Sequence, residues 1–146
     1  MSSLYEHDFY GWANEQAALL RAGKLSAADI ENIAEELESM GRSERNQLTN
    51  RLAVLLAHLL KWQFQPGLQG NSWRLTIREQ RQRAVRVLGD NPGLKSQLGK
   101  ILADAYSDAL LMAQRETGLP EPTFPTECPW TFDQAVDGGF WPSLSA

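Results

Sequence analysis

Two polar side chains fall where helical periodicity calls for apolar ones. Arg81 lies inside the apolar arc made by Trp73, Ile77, Ala84, Val85 and Leu88. Gln16 lies in the middle of the arc made by Phe9, Trp12, Ala13, Leu19 and Leu20. A guanidinium taken out of water without a partner is heavily penalised, so Arg81 calls for a carboxylate. Glu35, Glu36 and Glu38, on the flanks of another apolar stripe, are the expected source. The candidate site is therefore a buried polar cluster of Gln16, Glu35, Glu36, His58 and Arg81. The same arginine also fits a bland reading, in which its stem packs on the core and its head reaches water at the edge.

Other chemistry finds less support. Carboxylate-bridged di-iron bundles need Glu-x-x-His on two helices, and no such string occurs. The two histidines are His7, in an N-terminal segment expected to be mobile, and His58, on the edge of an apolar stripe near Arg51. Glu36 and His58 with Asp104 or Asp108 would make at most a mononuclear metal site. No bound metal and no cofactor is expected. Cys128, the only cysteine, has neither a histidine nor a helix start beside it to lower its pKa, and it excludes an internal disulfide. The stretch from Gly67 to Gly70 lacks the lysine and hydroxyl of a phosphate loop. Arg74, Arg78, Arg81, Arg83 and Arg86 with Trp62 and Trp73 suggest nucleic-acid stacking, but these arginines read as spread around their helix.

The elements that position these residues are helices. The periodicity predicts one over 8–22 that Gly23 stops, and a second over 27–40 with Ser26 as N-cap and Gly41 as its end. The second carries the stripe Ile30, Ile33, Ala34, Leu37 and Met40. A third over 43–64 carries Leu48, Leu52, Leu55, Leu56, Leu59, Leu60 and Trp62, a stripe wide enough to touch several neighbours. A fourth runs over 73–88 with Ser72 as N-cap. A fifth runs over 91–116, opened by Asn91-Pro92 and closed by Thr117-Gly118. From Leu119 onward, Pro120, Pro122, Pro125, Pro129 and Pro142 forbid a long helix, apart from one short turn over 131–137. Phe124, Trp130, Phe132, Phe140 and Trp141 should bring this tail down onto the bundle.

The chain of 146 residues is expected to form one domain. Its fold class is all-α: an antiparallel helical bundle of about five helices, with the segment 119–146 as a Pro- and aromatic-rich extension wrapping it. The net charge of −4 weighs against nucleic acid. The apolar run from Leu52 to Leu60 is far short of the roughly 20 residues that span a bilayer. With no signal peptide visible and a single thiol, the expected location is cytoplasmic.

Several strings taken together resemble a known family. They are Trp12 with Gln16, Ile33-Ala-Glu-Glu-Leu-Glu-Ser-Met-Gly41, His58-Leu-Leu-Lys-Trp62 and Gln65-Pro66. Trp73 with Gln80-Arg81, Asn91-Pro-Gly-Leu-Lys95, Phe124-Pro125 and Cys128-Pro129 continue the pattern. In this order, from about Tyr5 to Pro142, they resemble the bacterial family catalogued as domain of unknown function 29. The resemblance implies an all-helical fold and a bacterial source. It implies no catalytic residues; Gln16, Glu35, Glu36, His58, Lys61 and Arg81 match its motif positions. The leading functional expectation is a protein–protein interaction module that binds an unknown partner or a second copy. The alternatives are a metal- or small-ligand-dependent enzyme using Glu35, Glu36, His58 and Arg81, and nucleic-acid binding through the arginine-rich fourth helix.

Overall fold

A computed structural model describes residues 3–144. Every regular element in it is helical, so the fold is all-α. The α-helices are α1 (Ser3–His7), α2 (Phe9–Arg21), α3 (Ile30–Phe64), α4 (Asn71–Asp90), α5 (Leu98–Thr117) and α6 (Phe132–Val136). Short 3₁₀ segments at Leu25–Ala27, Pro66–Leu68, Pro92–Gln97 and Glu121–Thr123 connect them. The chain divides into two compact units, Met1–Ser43 and Glu44–Ala146.

The N-terminal unit holds α1, α2 and the first residues of α3. His7 is the last residue of α1. Asp8 starts α2, its carboxylate accepting from the Gly11 amide at 2.9 Å. Gly23 follows α2 at φ +73°, a left-handed conformation that glycine adopts without strain. Asp29, not Ser26, stands at the start of the next helix. Its carboxylate accepts from the Asn32 side chain at 2.8 Å, and its own amide donates to Gln16 Oε1 at 2.7 Å.

Gly41 ends nothing. The two helices expected over 27–40 and 43–64 are one 35-residue helix. An interior glycine costs about 1 kcal/mol relative to alanine, too little to break a helix with strong formers on both sides and no proline. The apolar stripe of its first turns also differs from expectation. Ile30, Leu37 and Met40 are 54%, 63% and 64% exposed, and Phe9 and Leu20 are exposed as well. Trp12 and Gln16 are the buried residues of α2, and Trp12 is the one buried apolar side chain described in this unit.

The C-terminal unit has a true core. Leu48, Leu52, Leu55, Leu56, Leu59 and Leu60 of α3 are fully buried against Ile77 and Ala84 of α4 and Ile101, Ala105, Ala109 and Ala113 of α5. Small residues along α5 leave room for the leucines of α3. The fifth helix begins later than the sequence suggests. Residues Pro92–Gln97 form 3₁₀ turns, and α-helix starts at Leu98. Asn91 spends its side chain on Glu44 at 3.1 Å and on the Val87 carbonyl at 2.9 Å. Gly118 closes α5 at φ +74°. Beyond it, Phe124, Trp130 and Ala135 are buried in the same core, and α6 is capped by Thr131, whose hydroxyl accepts from the Gln134 amide. Tyr106 donates its hydroxyl to the Pro125 carbonyl at 2.6 Å, tying the proline-rich segment to α5.

Nothing lies within 4 Å of a Cβ built on Gly41. Gly41→Ala is therefore expected to stabilise the fold by about 0.5–1 kcal/mol, through lower backbone entropy in the unfolded chain. A denaturant midpoint that fails to rise would contradict an unbroken helix at this position.

Candidate functional site

Arg81 is 5% exposed, as its place in the apolar arc requires. Its partner is not the carboxylate expected from helical spacing. The Nε–H donates to the Ala135 carbonyl at 2.8 Å, and an Nη donates to the Phe140 carbonyl at 2.5 Å. Both acceptors belong to the C-terminal segment. No ion pair to Arg81 occurs among the described residues, and Glu35 and Glu36 are engaged elsewhere. Ala135 is the last-turn residue of α6, a place where helical carbonyls have no partner within the helix. The guanidinium therefore completes a helix end. It also lies over the Trp141 ring, 5.1 Å from its centroid, and Trp141 packs on Trp62 with centroids 4.6 Å apart. Burial lowers the Arg81 pKa from its ordinary value, and the negative charge of Asp137 opposes that shift.

This anchoring gives α4 a wall to face. Arg74, Arg78, Arg81 and Arg86 share with Gln82, Val85, Val136, Gly138 and Trp141 one open groove of about 710 Å³. Of the five arginines, Arg74, Arg78 and Arg81 share one face of α4, and Arg83 and Arg86 lie off it. At 100° per residue, Arg74, Arg78, Arg81 and Val85 fall within about 60° of one another, and Arg86 lies about 80° beyond Arg78. Arg83 points away, with its guanidinium on Glu79 at 2.9 Å. Arg74 bonds the Asn71 side chain at 3.2 Å. Arg78 and Arg86 have no acidic partner among the described residues. The groove thus offers several exposed guanidinium groups next to valine side chains and an indole face.

The other expected site residues hold the fold. Gln16 is 5% exposed, and its side-chain oxygen caps the Asp29 amide. Asp29 also accepts from the Trp12 indole at 3.2 Å, and its hydrogen bonds, that from Asn32 foremost, hold its pKa below the ordinary carboxylate value. Glu35 is exposed and pairs with Arg42 at 3.4 Å. Glu36 accepts from the Tyr5 hydroxyl at 2.5 Å, and that bond is the main reason the phenol is pushed up to about 12. His58 bonds the Val54 carbonyl through Nδ1 at 2.9 Å, and burial lowers its pKa. Lys61, which the resemblance marked, is 7% exposed. Its Nζ donates to Glu116 at 2.6 Å and lies 4.9 Å from the Trp73 ring centroid. Asp104 pairs with Arg45 and Lys100, and among the described residues no three His, Cys, Asp or Glu side chains gather to hold a metal. Cys128 donates its thiol to the Trp130 carbonyl, and burial raises its pKa, the opposite of what activates a nucleophile.

The sequence reading missed Trp141, Val136, Gly138 and Arg86 as parts of the groove. The spacing of Arg74, Arg78 and Arg81 carried half of the signal. The far wall carried none, because no pattern shows which turn of α4 a proline-rich tail will meet.

A family model described as Domain of unknown function DUF29 matches residues 4–141. No curated protein and no solved structure matches the chain. Among the described residues no helix is long and apolar enough to cross a membrane.

Two measurements bear on this geometry. Arg81→Met leaves two carbonyls of the tail without their charged donor and is expected to destabilise the fold by about 3 kcal/mol. The loss should appear both in the denaturant midpoint and in Trp141 fluorescence. Unchanged stability would mean that the tail does not need the guanidinium. His58 has a folded pKa below its ordinary 6.5, so the stability it contributes is complete above that value and is lost as the pH falls through the folded pKa. His58→Gln should flatten the decline in melting temperature between about pH 7 and pH 5. An identical decline in both proteins would assign it to other groups.

Proposed function

We propose that this chain, which belongs to the Domain of unknown function DUF29 family, is a protein-interaction module that seats an acidic, part-apolar segment in its arginine groove. The observation that carries the reading is the groove itself. Arg78 and Arg86 stand without acidic partners among the described residues, beside Val85, Val136 and Trp141. Exposed guanidinium groups next to apolar walls match carboxylates next to apolar side chains, the pattern of an amphipathic acidic helix. The groove runs along α4, where Arg74 to Arg86 spans about 18 Å at 1.5 Å per residue. That length suits three turns of peptide better than one compact ligand. A reducing, cytoplasmic setting suits the unpaired thiol of Cys128.

Nucleic acid is the second reading, favoured by the same arginines together with the indole of Trp141. The net charge of −4 makes it the weaker one. A titration monitored by tryptophan fluorescence separates the two. A synthetic helix with glutamates at i, i+4 and i+7 and leucines on the adjoining face should bind, while a single-stranded oligonucleotide should not. Each of Arg78→Glu and Arg86→Glu should weaken peptide binding about tenfold or more, and binding should fall as salt rises. Oligonucleotide binding without peptide binding would overturn the proposal, and so would peptide binding that ignores both substitutions.

A further inference from the structure

The N-terminal unit carries the amphipathic acidic surface that such a groove fits. Its residues 1–43 include Glu6, Asp8, Glu15, Asp29, Glu31, Glu35, Glu36 and Glu38 against Arg21, Lys24 and Arg42, a net charge of 3 − 8 = −5. The whole chain stands at −4, which leaves +1 for residues 44–146. Along the start of α3, Ile30, Leu37 and Met40 are more than half exposed, and Glu31, Glu35 and Glu38 run beside them at i, i+4 and i+7. Arg78 and Arg86, the groove arginines without an acidic partner among the described residues, stand eight residues or about 12 Å apart along α4, close to the roughly 10.5 Å from Glu31 to Glu38. Among the described residues one ion pair competes on the acidic row, Glu35 with Arg42, 3.4 Å long with both side chains 58% exposed, a contact of small worth.

This apolar stripe needs a cover. The unit buries one apolar side chain, Trp12, among its described residues, far less than an independent core requires. Packing the same surface of two copies together would bring −5 against −5. Charge therefore selects an occupant with a positive, apolar-walled face. The C-terminal unit has that face in the groove of α4.

We infer that the chain binds a second copy of itself: the acidic first turns of α3 in one copy, from Ile30 to Met40, lie in the arginine groove of the other. The contact is heterologous, between two different surfaces. Two copies that exchange it reciprocally close a dimer, and copies that do not close it form longer chains. This inference rests on the binding role proposed for the groove, because it names the groove's occupant.

Light scattering coupled to size exclusion, with the full chain and a range of concentrations and salt, tests it. The wild type should associate as concentration rises and dissociate as salt rises. Arg78→Glu with Arg86→Glu damages only the groove, and Glu35→Arg with Glu38→Arg damages only the acidic row. Each double variant alone should remain a monomer. Their mixture keeps one intact groove and one intact row and should form a 1:1 pair. Circular dichroism checks that both variants retain their helices. A monomeric wild type at every concentration overturns the inference. So does a dimer indifferent to the groove substitutions, which would instead join like surfaces. If the wild type remains monomeric while the glutamate-leucine peptide still binds, the groove's binding role stands and only the occupant named here is wrong. If neither association occurs, both readings fall.

Discussion

The groove along α4 depends on two hydrogen bonds from one buried guanidinium. Arg81 holds the carbonyls of Ala135 and Phe140, and so fixes where the last part of the chain runs along α4. Val136, Gly138 and Trp141 lie within or just beyond that interval, and they form the wall that turns an arginine-bearing helix into a groove. The choice of acceptor also matters electrostatically. A carboxylate would have neutralised the guanidinium and removed its field from the groove. Carbonyl oxygens satisfy its donors and leave its full charge in place. Asp137 tempers that charge without a direct ion pair. One side chain thus closes the wall of the site and keeps the site positive.

Part of this arrangement is legible in the sequence alone. Helical spacing placed Arg81 and Gln16 inward, and both are buried. The wide leucine stripe of residues 48–60 is the core of the C-terminal unit, and the short helix beginning after Thr131 is α6. What spacing could not supply was the partner of each polar group. A buried cation makes a reader look for acidic side chains, because those have names in a sequence. Backbone carbonyls are present at every residue and carry no signature. The same gap explains Gln16, whose oxygen meets the Asp29 amide rather than another side chain. Gly41 misled for a different reason. A glycine is a stop only where the chain needs a left-handed turn, as at Gly23 and Gly118, and not where helix formers continue on both sides.

The apolar stripe at the start of α3 teaches the complementary lesson. Ile30, Ile33, Ala34, Leu37 and Met40 show the spacing of a core-facing helix, yet Ile30, Leu37 and Met40 are exposed. Periodicity reports that a face is apolar; it does not report that this chain covers it. The same holds for charge. A net value of −4 averages an acidic unit with a slightly basic one, and screening confines each to its own surroundings within about 10 Å at moderate salt. A weakly acidic protein can therefore present a strongly positive groove.

The nature of the groove favours a protein segment over a small anion on physical grounds. A phosphate or carboxylate is held tightly where donors converge on one point, as in a bidentate fork or a cluster of amides. Here the donors are spread along a helix. Arg81 is already committed to carbonyls, Arg74 is bonded to Asn71, and Arg78 and Arg86 lie two turns apart, about 12 Å at 1.5 Å per residue. A small anion would reach only one of them at a time and would bind as weakly as any exposed ion pair. A helix with carboxylates on successive turns reaches several together, and its apolar side chains cover Val85, Val136 and the Trp141 indole in the same step. The ordering cost of docking is then met once for many contacts, which is how spaced, individually weak charges come to define a specific surface.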